Sequence, residues 1–178
     1  MAALCAQIDT VSDARSGAPE YFTSSEPGPG ARAVPEVAFH TGLADKVGYA
    51  CRLLRKAWRR RVRVVVTGER QALERLDAAL WTFDPQEFVP HARRGAAPVP
   101  PHLEARTPIW LVEPGVAPPA GEVLVNLGPD ACADAQRFDR VVELVEASDG
   151  DRAAGRRRWN AYKAAGWSIA HHPQEAAA

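Results

Sequence analysis

Arginine and aromatic side chains share one helical stripe near the carboxyl end of the chain. Arg152, Arg156 and Trp159 follow one another at spacings of four and three residues, which places them on one helix face. A guanidinium binds a carboxylate through charge-assisted hydrogen bonds, and an indole ring offers a flat apolar platform. Such a stripe can stack on nucleic-acid bases, or it can hold an aromatic side chain while the arginines bind a carboxylate. A third interpretation is a solvated basic helix whose Trp159 packs inward.

A second group of aromatic residues lies in the stretch LDAALWTFDPQEFVPH, which ends an amphipathic helix in a loop. Five bulky apolar residues at its end fall within ten positions: Trp81, Phe83, Phe88, Val89 and Pro90. No helical or strand period would bury all five. Loops normally run over the surface, so the pattern indicates a protein-binding edge. The alternative is that these side chains close one end of the domain's own core.

Motifs for nucleotide binding and catalysis are missing from the sequence. The loop after the valine-rich strand reads TGERQALERL, without the GxxxxGK[ST] pattern of a P-loop, and neither GxGxxG nor GxSxG follows a strand. The histidines lack HxxxH and HExxH spacing, so the pair His171 and His172 is predicted to be solvated. Glu143 and Glu146 are predicted on the solvated face of a helix. We therefore expect no catalytic residue, no cofactor and no metal.

Another basic cluster bridges a helix end and a strand, and it consists of Arg59, Arg60, Arg61 and Arg63. Cations are favourable near the carboxyl end of a helix, so a structural role is preferred over a nucleic-acid patch. The net charge of zero agrees with that preference.

The elements that position these residues alternate along the chain. Hydrophobic periodicity predicts strands at 37–40, 62–66, 109–112, 123–127 and 167–169, and helices at 43–59, 72–80, 134–146 and 151–165. Gly166 fits the C′ position of the last helix, and the proline-rich segment 98–108 is predicted to be a loop. The uninterrupted run Val64–Val66 is typical of a parallel strand buried on both faces. We predict a three-layer α/β/α fold with a mostly parallel central sheet, Rossmann-like but without a nucleotide-binding loop.

Composition limits the class of protein. The 178 residues, 46% hydrophobic and 25% charged, indicate a soluble globular protein with one domain. Three cysteines without a CxxC motif favour a reducing compartment, and no secretory signal or membrane-spanning segment is recognisable, so the expected location is cytoplasmic. Residues 1–33 are predicted to be a disordered extension, 34–170 the α/β domain, and 171–178 a flexible tail.

Three blocks of sequence carry a resemblance to a known family. The blocks LDAALWTFDPQEFVPHA, RFDRVVELVE and RRRWNAYKAAGW, within 37–168, resemble the chi subunit of bacterial DNA polymerase III holoenzyme in content and order. The resemblance implies a non-enzymatic accessory subunit of the clamp loader, with a three-layer α/β/α fold. Its implied partners are the psi subunit and the acidic, Phe-ending carboxyl tail of single-stranded DNA-binding protein, so that contact with nucleic acid is indirect. An iron-sulfur helicase is an alternative partner at the psi surface.

The same resemblance implies two binding sites. Its hydrophobic psi-binding site falls on Trp81, Phe88, Val89 and Pro90. Its site for the tail of single-stranded DNA-binding protein falls on Val145, Arg152, Arg156, Trp159, Asn160 and Gly166. In this site, Arg156 is the residue that we expect to bind the terminal carboxylate.

Two positions depart from the family pattern. Trp159 stands where the family often has tyrosine, which keeps the stacking surface but removes a hydroxyl. Asn160 stands where a lysine is common, which removes a cation that Arg157 would compensate. Three other functions stay open at this point: direct binding of single-stranded nucleic acid, a helicase-associated DNA-repair adaptor, and a small enzyme on a nucleotide-binding-like scaffold.

Overall fold

The computed structural model describes residues 36–174. Within this range the strands are β1 (Glu36–Leu43), β2 (Val64–Thr67), β3 (Ala92–Arg94), β4 (Ile109–Val112), β5 (Val123–Asn126), β6 (Arg140–Glu146) and β7 (Ser168–Pro173). The helices are α1 (Lys46–Arg59), α2 (Arg70–Thr82), α3 (Pro101–Arg106) and α4 (Asp149–Ala164), with a short 3-10 turn at Ala135–Arg137. The predicted extension 1–33 lies outside the described residues.

The strands form one open sheet in the order β3-β4-β2-β5-β6-β1-β7. Every neighbouring pair is parallel. β1, the first strand of the sheet, therefore lies between β6 and β7, the last two. The parallel sheet predicted from the buried valine run is confirmed.

Helices cover both faces of this sheet. Val64 and Val66 point to the core that α1 and α2 cover, whereas Val65 points to the core on the α4 side. Because successive side chains of a strand face opposite sides, a β-branched run serves both cores at once. The three-layer α/β/α prediction is confirmed.

The helix predicted at 134–146 is wrong. The chain instead makes the 3-10 turn and then strand β6, whose sequence RVVELVE is buried along five consecutive positions. The apolar residues Val141, Val142 and Val145 match a helical period, but β-branched side chains favour a strand, and burial on both faces removes the alternation that marks one.

Three smaller differences concern element ends. Helix α1 begins at Lys46, later than predicted, because β1 continues to Leu43 and Asp45 accepts a hydrogen bond from the Gly48 amide as the N-cap. The proline-rich segment predicted as a loop contains α3. Strand β7 extends to Pro173, so the first residues of the predicted flexible tail belong to the sheet. The Gln174 amide also donates to the carbonyl of Thr41 at 2.8 Å.

No helix within residues 36–174 is both long and apolar enough to cross a membrane.

Candidate functional site

A cavity of about 560 Å³ opens between α4 and the carboxyl ends of β1 and β7. Its lining residues are Phe39, Thr41, Gly42, Val145, Arg152, Gly155, Arg156, Trp159, His171, Pro173 and Gln174. They come from β1, β6, α4 and the end of β7, so the cavity depends on the sheet order that brings these elements together.

Helix α4 has defined signals at both ends. The Ser148 side chain accepts from the Asp151 amide at 3.4 Å as the N-cap, and Asp149 and Asp151 lie in the first turn, where the helix dipole favours acids. At the other end Gly166 has φ +77°, a conformation that glycine adopts without strain, and its amide bonds to the Lys163 carbonyl. The C′ position predicted for Gly166 is confirmed.

The helix approaches β6 closely because residue 155 is a glycine. A Cβ atom placed on Gly155 would lie 3.0 Å from both γ carbons of Val145, tighter than ordinary van der Waals contact. Gly155 and Val145 are both buried at the cavity floor. The small residue therefore sets the distance between α4 and the sheet at this point.

The apolar wall of the cavity is an aromatic cluster. The Trp159 ring lies 5.0 Å from the Phe39 ring and 5.7 Å, edge-on, from the His171 imidazole. Tyr162 packs edge-on against Phe39, with 6.1 Å between the ring centroids. Trp159 is half-buried, so its ring packs against the core and also lines the cavity.

Arg152 and Arg156 supply positive charge at the cavity rim. Both are exposed, and neither has an ion pair or a side-chain hydrogen bond to any residue in 36–174. Among the described residues of the lining, none is Asp or Glu. The cavity therefore joins an apolar surface to two guanidinium groups that form no ion pair with a carboxylate of residues 36–174.

A buried polar network joins β5, β6 and α4, and it corrects one interpretation of the sequence. Glu143, predicted on a solvated helix face, is fully buried and accepts hydrogen bonds from Arg158 at 2.7 Å and from the Tyr162 hydroxyl at 2.9 Å. Asn126 donates to both of its carboxylate oxygens at 3.1 Å. Burial raises the pKa of Glu143, while the Arg158 charge opposes that rise. Arg158, which follows the exposed Arg157 on α4, is thus internal.

The residues predicted for the tail site separate into two groups. Val145, Arg152, Arg156 and Trp159 line the cavity. Asn160, exposed on α4, and Gly166, at the helix end, do not line it. The sequence reasoning missed Phe39, Thr41 and the β7 residues, because no local pattern shows that β1 and β7 are neighbours.

A second surface is formed by the end of α2 and the loop after it. Trp81 and Phe88 are exposed by 61% and 57%, and their rings lie 5.3 Å apart. Pro90 is half-buried. Val89 is fully buried in the core on the α1/α2 side, so it anchors the loop rather than facing solvent. Large exposed aromatics side by side are typical of protein-binding surfaces.

Ion pairs to α1 hold this loop in place. Arg55 binds Asp84 at 2.8 Å, and Arg59 binds Glu87 through two hydrogen bonds of 2.9 and 2.6 Å. The hydrogen bond from Arg59 holds the pKa of Glu87 below its usual value. Arg59 belongs to the basic cluster that bridges α1 and β2, and it therefore has a structural role.

The loop ends at His91, whose side chain is buried. Its Nδ1 lies 2.8 Å from the Val89 carbonyl and its Nε2 3.2 Å from an Asp77 carboxylate oxygen. Its ring also packs on Trp81 at 5.3 Å. His91 therefore ties the loop to the helix that carries Trp81.

A cavity of about 650 Å³ at the carboxyl ends of β2, β4 and β5 occupies the place where open α/β sheets usually bind nucleotides. Its lining includes four acidic residues, Glu69, Glu113, Asp130 and Asp134, and no Lys or Arg among the described residues. Arginines outside the lining pair with two of these carboxylates, because Glu113 binds Arg70 and Arg93 and Asp134 lies 3.6 Å from Arg137. Within 36–174, no group of three His, Cys, Asp or Glu residues is arranged to hold a metal ion.

Comparison with protein families and relatives identifies one family. The family model for the DNA polymerase III chi subunit, HolC, matches residues 34–170. DNA polymerase III subunit chi of Pseudomonas aeruginosa is 33% identical over 128 residues, which cover 69% of this chain and 82% of that protein. The subunit chi of Haemophilus influenzae is 31% identical over 125 residues, covering 67% of this chain and 81% of that protein.

A solved structure adds a likeness of fold. A chain in the complex of S. cerevisiae Dbp5 with Nup159, Gle1, IP6 and ADP has a TM-score of 0.51 at 10% identity. The likeness covers 80% of this chain and 42% of that one. Such a likeness shows the fold alone, because unrelated functions share α/β scaffolds. The match over residues 34–170, together with the identity to two chi subunits, shows that this chain belongs to the DNA polymerase III chi subunit family.

Proposed function

We propose that this chain is a non-catalytic accessory subunit that bridges the psi subunit of the clamp loader to single-stranded DNA-binding protein. The observation that carries the proposal is the cavity beside α4, where an apolar aromatic wall meets two arginines that pair with no carboxylate among residues 36–174. Residues at this place are the ones to which the family resemblance assigns the tail of single-stranded DNA-binding protein.

The chemistry of the cavity fits an acidic peptide that ends in phenylalanine. The apolar wall of Phe39, Val145 and Trp159 suits a terminal aromatic ring. A terminal carboxylate placed beside that ring comes within reach of Arg156, and Arg152 remains for the acidic residues that precede it. Because both guanidinium groups lack carboxylate partners among the described residues, binding need not break an existing ion pair.

The surface around Trp81 and Phe88 is the proposed psi-binding site. It is apolar and exposed, and buried Val89 together with the ion pairs from α1 holds it in shape. A preformed surface of this kind limits the entropy lost on association. An iron-sulfur helicase is an alternative occupant of the same surface.

Binding of a synthetic acidic peptide with a free carboxyl-terminal Phe tests the tail site. We expect Arg156→Ala in the full chain to weaken binding by about 2 kcal/mol or more, roughly thirtyfold, as loss of a charged anchor does. Lys163→Ala is the matched control, because Lys163 is exposed on the same helix but does not line the cavity. Equal affinity of the Arg156→Ala variant and the parent chain would reject the site.

Capture of psi by the full chain tests the second site. We expect the double variant Trp81→Ala/Phe88→Ala to lose psi while keeping the peptide, and Arg156→Ala to do the reverse. If the chain bound oligonucleotide tightly without a partner, with affinity falling steeply as salt rises, direct nucleic-acid binding would replace the bridging function.

A further inference from the structure

The cavity beside α4 has a second wall, which the carboxyl-terminal strand β7 supplies. His171, Pro173 and Gln174 line the cavity together with Arg152 and Arg156. These three residues lie beyond residue 170, where the match to the family ends. This wall is therefore a feature of the chain itself that the family match does not describe.

The backbone fixes the position of this wall. In the parallel pairing of β1 with β7, Phe39 lies beside His171 and Thr41 beside Pro173. The Gln174 amide donates to the Thr41 carbonyl at 2.8 Å, which fastens the end of the strand. Since alternate residues share a face, His171 and Pro173 both point toward α4.

The His171 ring is held so that it can take up a proton. Its Nε2 is 2.9 Å from the Thr41 hydroxyl. A hydroxyl donates to an unprotonated ring nitrogen and accepts from a protonated one, so this contact is kept in both states. The ring edge rests on Trp159 at 5.7 Å, and the exposed remainder of the ring faces the cavity.

Charged and titratable side chains lie around His171. The charged residues of α4 that line the cavity with His171 are Arg152 and Arg156. On β1, the uncharged Thr41 contacts the His171 ring. On β7, the next residue is His172. Carboxylates of a bound acidic peptide would neutralise the arginines and attract the imidazolium, so protonation and binding favour each other.

We propose that His171 is a specificity-determining residue of the tail site, which becomes a third cation for the acidic tail when that tail binds. This inference rests on the proposed function of the cavity. It implies that binding takes up a fraction of a proton and that affinity rises as the pH falls through the range in which histidine titrates.

The test is the affinity of the full chain for the Phe-ending acidic peptide, measured by fluorescence anisotropy at several values between pH 5.5 and pH 8. We expect affinity at pH 5.5 to exceed that at pH 8 by about threefold to fivefold, the size of one exposed ion pair. His171→Gln should flatten this dependence, whereas His102→Gln, at an exposed position on α3 outside the cavity, should preserve it.

A second readout measures the proton directly. The chemical shifts of the His171 ring, followed by NMR against pH, should show a higher pKa with peptide bound than without it. Peptide binding with a pH dependence that His171→Gln leaves unchanged would overturn the role of His171 and leave the proposed function intact. Failure of the parent chain to bind the peptide at any pH would instead reject the proposed function.

Discussion

At the scale of single residues, the pair formed by Glu143 and Arg158 is the most deeply buried ion pair within residues 36–174. Both side chains are 1% exposed or less, and Tyr162 and Asn126 complete the hydrogen bonds of the carboxylate. Removing one member of such a pair leaves the other charge buried without compensation, which costs more than the pair itself contributes.

We therefore predict that Glu143→Ala lowers the free energy of unfolding by about 3–5 kcal/mol. Glu143→Gln, which keeps the hydrogen-bonding shape but removes the charge, should lose less. Urea-induced unfolding gives both values. Asp134→Ala is the control, because its pair with Arg137 is exposed and 3.6 Å long, and we expect a change below about 1 kcal/mol.

His40 gives the fold a dependence on pH. It is fully buried, its Nδ1 lies 2.7 Å from the Tyr49 hydroxyl, and burial together with the His172 charge lowers its pKa to about 3. The unfolded chain, with an ordinary histidine pKa near 6.5, takes up this proton first. Between about pH 6.5 and pH 3 stability should therefore fall as the pH falls, by at most about 1.4 kcal/mol per pH unit from this residue.

The corresponding measurement is urea-induced unfolding at pH 7.5 and pH 5.5. We predict that His40→Gln narrows the difference in unfolding free energy between the two pH values by about 1 kcal/mol. His102→Gln, at an exposed position, should leave that difference unchanged. An undiminished difference in the His40→Gln variant would show that other groups cause the acid sensitivity.

At the scale of elements, the distance between α4 and β6 sets the width of the cavity that we propose as the tail site. Alanine at residue 155 would improve helix propensity by about 1 kcal/mol, but its Cβ would press on Val145. We predict that Gly155→Ala lowers peptide affinity about threefold or more and lowers the free energy of unfolding, because overpacking costs about 1–3 kcal/mol. Peptide titration and urea-induced unfolding of the same variant check the two effects.

Gly150 offers a matched control on the same helix. Nothing lies within 4 Å of a Cβ placed there, so Gly150→Ala should stabilise the protein by about 0.5 kcal/mol and leave peptide affinity unchanged. Reduced affinity in both variants would mean that helix propensity, rather than contact with Val145, changes the site.

In the loop after α2, we expect neighbouring residues to affect binding and stability separately. Phe88 is largely exposed and Val89 is fully buried, although the two are neighbours in sequence. We predict that Phe88→Ala reduces psi capture while changing the free energy of unfolding by less than about 0.5 kcal/mol. Val89→Ala should cost about 2 kcal/mol of stability. A large loss of stability in Phe88→Ala would place that ring in the core.

Elements also show where sequence reasoning fails. Strand β2 and helix α2 were predictable, because a valine run and a regular apolar spacing are local signals. Strand β6 was not, because burial on both faces gave it an apolar spacing that also fits a helix. The same error placed Glu143 in solvent, since its partner Arg158 is supplied by an element whose contact with β6 is tertiary.

For the whole molecule, the two proposed sites lie on opposite layers. Trp81 and Phe88 extend from the α1/α2 layer, whereas Arg156 and Trp159 belong to α4. We predict that Phe88→Ala and Arg156→Ala act independently, so that each affinity in the double variant matches that of the relevant single variant within about 0.5 kcal/mol. Isothermal titration with psi and with the peptide measures both, and a larger deviation would indicate coupling through the sheet.

The aromatic and basic residues that α4 contributes to the cavity were predictable from the sequence. The residues of β1 and β7 that close the cavity were not. Arg152, Arg156 and Trp159 show a helical spacing within one segment. Phe39 and His171 are 132 positions apart, as their numbers show, and only the pairing of β1 with β7 brings them together. Nothing in a short window of sequence carries that information, because parallel neighbours are joined through distant connections.

The place of β1 in the sheet has a consequence for synthesis on the ribosome. β1 emerges first of the described strands, yet both of its partners, β6 and β7, follow roughly a hundred residues later. Synthesis adds about 5–20 residues per second, so the hydrogen-bonding edges of β1 stay unpaired with β6 and β7 for on the order of ten seconds. β2, β4 and β5 can pair before then, so the half of the sheet that bears the cavity beside α4 closes only after β6 and β7 have emerged. A nascent chain would thus complete the surface proposed for psi before the cavity proposed for the tail of single-stranded DNA-binding protein.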